Sequence, residues 1–214
     1  PLVGYKSKPG IYEFSMIEEN KYPVKITISK DGTRSCKIKG NTKNMIVIGD
    51  SATSGWAVSD GKHMSDLICK KKKINVENYA IGGKGGLPGY LIINERLKPI
   101  WMKDKKKSPL FILYGLIHHH LDRDTIPPSW VEVSDRHVKN SGFSQPFMRF
   151  KNSKLKISYF KRSPLPFRNK SSIINQLDKL IYSISYKIND EEKWRTHIEM
   201  VQELKKISEN FNIK

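Results

Sequence analysis

Met45-Ile46-Val47-Ile48-Gly49-Asp50-Ser51 constrains this chain more than any other stretch. Four consecutive apolar residues run directly into a glycine, an aspartate and a serine. A continuous apolar run of that length fits a strand buried on both faces of a parallel sheet. The Gly-Asp-Ser then falls at the strand's carboxyl end, where open α/β sheets place their ligand crevices. A serine on that turn is positioned to act as an exposed nucleophile.

The residues that follow repeat the pattern. A polar turn through Ser54-Gly55 leads to a predicted helix over about 60–71, begun by Ser59 or Asp60, with His63, Met64, Leu67 and Ile68 on one face. Ile74–Tyr79 reads as a second strand, ending in the glycines Gly82, Gly83, Gly85, Gly86 and Gly89. A helix carrying Leu91, Ile92, Leu97 and Ile100 comes next, then a third buried strand over Pro109–Gly115. Strand, helix, strand, helix, strand implies right-handed crossovers and an α/β fold with a parallel sheet.

Either side of this block the rhythm differs. Residues 1–43 read as a small β-rich flap on the main domain of residues 44–214. Gly10–Phe14 and Val24–Ile28 alternate, and Asp31-Gly32 supplies a hairpin turn to a returning strand over Ser35–Ile38. Prolines and aromatics dominate 125–168, with a hairpin expected around Lys151-Asn152-Ser153, as an excursion over the sheet's carboxyl edge. Two amphipathic helices close the chain. Ile173, Ile174, Leu177, Leu180, Ile181, Ile184 and Ile188 form one stripe; Trp194, Ile198, Val201, Leu204 and Ile207 form the other.

The formal net charge of +18 over 214 residues is suited to attracting phosphates, anionic lipids or an anionic polymer. Most of the excess is lysine spread along the chain, with runs at Lys70–Lys73 and Lys103–Lys107. Arginine is scarce and no zinc finger, RNP motif or basic zipper is present, so a solvated basic surface is the plainer reading. Cys36 and Cys69 lack metal-ligand spacing and read as two unrelated thiols. No apolar run reaches the roughly 18 residues of a membrane span. The sequence opens at Pro1 without a charged-then-apolar leader, which leaves an upstream segment open, and it fixes neither compartment nor oligomeric state.

The chemistry concentrates in two segments. Gly49-Asp50-Ser51 continues as Ala52-Thr53-Ser54-Gly55-Trp56-Ala57-Val58-Ser59-Asp60, with Gly49 allowing a sharp turn. Asn78-Tyr79-Ala80-Ile81-Gly82-Gly83-Lys84-Gly85-Gly86 follows the next strand and lands on the same sheet edge. A glycine there lets a backbone N–H approach a tetrahedral oxyanion. Together these segments resemble the SGNH/GDSL hydrolase family, and Gly49–Asp60 resembles the Gly-Asp-Ser-x-Thr-x-Gly-Trp-x-Val-x-Asp form of one bacterial branch. Asp31-Gly32-Thr33-Arg34 is similar to the Gly-x-Arg hairpin that precedes it there.

The resemblance, strongest over residues 30–124, implies a three-layer α/β/α fold and a serine esterase or deacylase needing no cofactor. Ser51 would be the nucleophile, with the Ser51 and Gly83 N–H groups in the oxyanion hole. Gly49, Asp50, Asn78 and His120 take supporting places. The substrate would be an acylated small molecule, carbohydrate or lipid. The family's third block normally supplies an Asn as the last oxyanion donor. Here His118-His119-His120 occupies that place, with His119 nearest the Asn. Three adjacent histidines on an irregular segment point different ways, so no metal is expected.

The family's closing Asp-x-x-His, whose histidine activates the serine, has no counterpart. Asp135-Arg136-His137 has the wrong spacing, and His197 lies within a predicted helix. Leu110–Tyr114 is accordingly expected to present an open strand edge, covered by a further C-terminal strand, by a partner, or by a strand from 145–160. A catalytically impaired enzyme is the expectation, with a non-catalytic glycan- or protein-binding domain as the alternative.

Overall fold

The computed structural model describes residues 7–15, 23–127, 145–160, 165–168 and 170–214. Asp135, Arg136 and His137 lie outside them. The protein is a mixed α/β fold around a four-stranded sheet of order β3-β5-β4-β6, formed by β3 (Arg34–Cys36), β4 (Asn44–Ile48), β5 (Asn75–Asn78) and β6 (Phe111–Tyr114). β4 runs parallel to both neighbours. The wholly parallel sheet expected from the sequence is corrected at one edge, where β3 is antiparallel to β5 and pairs Arg34 with Asn78.

The apolar run does what its composition requires. β4 occupies the middle of the sheet, and Val47 and Ile48 are fully buried. Alternate side chains enter different cores. Ile46 and Ile48 pack with Leu87, Tyr90, Trp101 and Met200, while Met45 and Val47 pack with Cys69, Ile74 and Val76. Burying each such side chain contributes about 1.5–3 kcal/mol, so β4 anchors the molecule from both faces. β6 is only half-buried, less than the sequence suggested.

The Asp31-Gly32 turn forms, closed by the Ser29 N–H to Thr33 carbonyl bond of 2.9 Å. The strand beyond it does not return along its predecessor. β1 (Gly10–Ser15) and β2 (Pro23–Ile28) make their own antiparallel pair, and β3 crosses to the main sheet. α1 (Ser51–Ser54) follows β4 directly. The helix expected from residue 60 begins later, as α2 (Met64–Lys72). Asp60 is instead held by the Arg34 guanidinium at 2.9 Å, and His63 Nε2 lies 3.2 Å from the Thr53 carbonyl.

The next crossover is one long helical element: α3 (Leu87–Leu91), a π-helical stretch (Ile92–Leu97) and α4 (Lys98–Lys103). Pro99 lacks the N–H an α-helix would use and crowds the carbonyl four residues back, which explains a widened turn just before it. α5 (His120–Thr125) follows β6. β7 (Gln145–Lys151) and β8 (Lys154–Phe160) form the hairpin read from Lys151-Asn152-Ser153, with Asn152 and Ser153 both at positive φ. That hairpin pairs with itself, so residues 145–160 do not cover β6. Lys214 bridges the outer side of β6, donating to the Leu110 carbonyl at 3.0 Å and accepting from the Ile112 N–H at 2.9 Å.

Two further expectations are corrected. Cys36 and Cys69 are joined in a disulfide that ties β3 to α2. In α7 (Asp190–Asn210) the buried face is His197, Met200, Leu204 and Ile207, while Trp194, Ile198 and Val201 are exposed. α6 (Ser172–Ser185) likewise turns Ile173, Leu177, Leu180 and Ile184 outward. No helix among the described residues is long and apolar enough to cross a membrane.

Candidate functional site

The turn after β4 is fixed by close backbone approach. Gly49 has φ +150, and a Cβ there would stand 2.5 Å from Thr53 Oγ1 and 2.9 Å from the Gly115 carbonyl. No other residue fits between the ends of β4 and β6. Asp50 caps α1: its Oδ1 accepts from Ala52 N–H at 3.0 Å and Thr53 N–H at 3.2 Å. Its side chain is buried, and Oδ2 lies 3.5 Å from Arg123 Nη1 and 3.8 Å from His120 Nε2.

Ser51, the first residue of α1, is half-buried. The glycine-bearing turn after β5 approaches it closely, since a Cβ on Gly82 would lie 3.7 Å from Ser51 Cβ. Gly83 beside it is exposed, at φ +73. The Ile81 N–H to Gly49 carbonyl bond of 3.1 Å joins the two turns. Asn78 braces both, donating to the Thr53 carbonyl at 2.9 Å and Ser65 Oγ at 3.0 Å and accepting from Ala80 N–H at 2.9 Å.

The three histidines separate. His118 and His119 are exposed and meet edge to face, 6.2 Å apart. His120 is wholly buried, with Nδ1 at 3.0 Å from the Tyr114 hydroxyl. The same hydroxyl lies 3.1 Å from His197 Nε2, and His197 Nδ1 lies 3.5 Å from Asp124 Oδ2. Asp124 in turn accepts from Gly86 N–H at 2.8 Å and Leu87 N–H at 2.9 Å. Gly86 is required there, because a Cβ would fall 1.9 Å from the Tyr114 oxygen. A buried line of contacts thus runs Asp50, His120, Tyr114, His197, Asp124 behind the Ser51 turn.

The line has two short contacts at the Tyr114 hydroxyl and two longer ones, to Asp50 and to Asp124. Burial disfavours a charged imidazolium and pulls the His120 pKa down, although Asp124 and Asp50 oppose the shift. Among the described residues Asp50 Oδ2, His120 Nε2 and His197 Nδ1 find no hydrogen-bond partner. Burial also holds the Tyr114 pKa far above its ordinary value. Lys84 is buried next to this line and its pKa falls to about 7 through desolvation, against the pull of Asp124.

Of the residues singled out from sequence, Gly49, Asp50, Ser51 and Asn78 meet in one cluster with Gly82, while His120 lies behind Asp50. Among the described residues no imidazole hydrogen-bonds the Ser51 hydroxyl; the ring contacts of His63 and His120 go elsewhere, and none joins His119 to Ser51. None of them groups three His, Cys, Asp or Glu side chains to hold a metal. Sequence reasoning missed Tyr114, Asp124, Lys84 and the role of His197. One signal was available for His197, which occupies an apolar position in the His197, Met200, Leu204, Ile207 face of α7. Asp124 carried none, because its partners are backbone N–H groups far away in sequence. Comparison of the chain with protein families, with curated proteins and with solved structures finds no match.

Proposed function

We propose that the chain is a serine hydrolase domain of the SGNH/GDSL type, with the three-layer arrangement of that family, acting on an ester or O-acetyl group. The observation that carries this reading is the meeting of the Ser51 turn with the glycine-bearing turn at one end of β4 and β5, with Gly82 against Ser51. Ser51 attacks the carbonyl, and the N–H groups of Ser51 and Gly83 receive the oxyanion, with the exposed His119 in the place of the family's Asn. Asp50 holds the turn rather than taking part in proton transfer. With no imidazole on its hydroxyl among the described residues, Ser51 turns over slowly.

The second reading, a domain that binds an acylated or glycosylated partner without turnover, is favoured by that same lack of a base. Fluorophosphonate labelling and p-nitrophenyl acetate hydrolysis, each compared between wild type and Ser51→Ala, separate the two. The hydrolase reading expects labelling that is lost on substitution. Equal signal from both proteins would leave only the binding domain.

A further inference from the structure

A cleft of about 450 Å³ opens between the β1–β2 pair and the turns after β4 and β5. Its walls include Tyr12, Phe14, Ile26, Trp56 and Ile81, and Gly82 closes the end nearest Ser51. The volume falls within the roughly 300–1,000 Å³ typical of small-molecule sites. Phe14 and Trp56 stack at 6.5 Å, so the β1–β2 pair and the segment after Ser51 form one continuous apolar wall.

Ser7 and Lys8 line the cleft as well, and the other polar side chains on that wall are already engaged. Arg34 donates to the Ser54, Gly55 and Val58 carbonyls and to Asp60. Asn78 spends its amide on Thr53, Ser65 and Ala80. The Tyr12 hydroxyl donates to the Lys8 carbonyl at 2.9 Å, and Ser54 Oγ donates to the Ser51 carbonyl at 2.9 Å. A sugar ring needs several partners for its hydroxyls. An alkyl chain needs only the apolar wall.

We infer that this cleft receives the alkyl chain of a medium-length acyl ester, running from Gly82 beneath Trp56 and Phe14 with the ester carbonyl at Ser51. This rests on the hydrolase reading for the position of the carbonyl, and on the cleft alone for the chain.

The test separates the two. Ser51→Ala protein is titrated with a dansyl fatty acid, and octanoate, acetate and an acetylated oligosaccharide are added as competitors. Displacement by octanoate alone is expected. Trp56→Ala in that background, an exposed position whose loss spares the core, should weaken probe binding about tenfold with an unchanged circular dichroism spectrum. Ala80→Phe, which narrows the cleft, should also weaken it. In the Ser51 protein, p-nitrophenyl octanoate should be cleaved faster than the acetate, with Trp56→Ala lowering that ratio. Probe binding without Ser51-dependent turnover would overturn the hydrolase reading and keep the cleft. Ser51-dependent acetate hydrolysis with no octanoate preference, or displacement of the probe by the oligosaccharide, would overturn the acyl-chain assignment.

Discussion

The Tyr114 hydroxyl holds two buried imidazoles at 3.0 and 3.1 Å. Tyr114→Phe keeps the ring and removes the bridge, leaving His120 Nδ1 and His197 Nε2 without it. Each buried polar group left unpaired costs about 1–3 kcal/mol, so urea unfolding of the variant should show a loss of about 2–4 kcal/mol. A loss under about 0.5 kcal/mol would mean water replaces the hydroxyl. Lys84 gives the pH signature. Its folded amine titrates near 7 against an ordinary value of 10.5, and the folded pKa of His120 is depressed below 6.5. In both windows the unfolded chain binds more protons, so stability rises with pH. The His120 penalty is relieved as pH climbs through 6.5, and that of Lys84 between about 7 and 10.5. Melting temperatures of Lys84→Met and wild type should therefore converge toward pH 10, with the variant more stable at pH 6. A constant difference would show that the amine keeps its proton when folded.

Elements were legible where local chemistry dominates. The β4 run, the Asp31-Gly32 turn and the Asn152-Ser153 hairpin each follow from residues within a few positions of one another. Elements misread from sequence were decided by distant partners. β3 was expected back on β2, but Cys36 bonds Cys69 on α2 and Arg34 reaches the Ser54 and Gly55 carbonyls at the end of α1. The disulfide closes a loop of sequence separation 33, worth about 3–4 kcal/mol by chain entropy. Reduction, or Cys36→Ser with Cys69→Ser, should lower the urea midpoint accordingly. α6 shows how a stripe misleads. Its inward face carries Asp178, paired with Arg168 at 3.2 Å, and Tyr182, which meets Phe160 edge to face. The apolar side chains point outward. Leu180→Ser and Ile184→Ser should each cost less than about 0.5 kcal/mol, whereas Asp178→Ala should cost about 3 kcal/mol by stranding a buried charge. Large losses at positions 180 and 184 would mean that α6 packs with its stripe inward.

On the scale of the whole molecule, the candidate site divides by how far apart its parts lie in sequence. Ser51, Asp50, Gly49 and Asn78 were readable because a parallel sheet brings consecutive strand ends to one edge. The buried line behind them joins β6, α5 and α7, and tertiary packing alone sets it. The net charge of +18 is likewise a property of the entire surface. Many of the ion pairs are exposed, such as Lys205–Glu209 and Lys25–Glu13, and such pairs contribute about 0–1 kcal/mol each. Uncompensated lysines repel one another across the folded surface, and the unfolded chain spreads the same charges further apart. Salt shortens that repulsion to a Debye length of about 8 Å at physiological strength. The melting temperature should therefore rise between low salt and 0.15 M-scale sodium chloride. A fall with salt would place the balance with the attractive pairs. If the basic surface instead holds an anionic polymer, retention on heparin should weaken steeply as salt rises, and Ser51→Ala should leave that dependence unchanged.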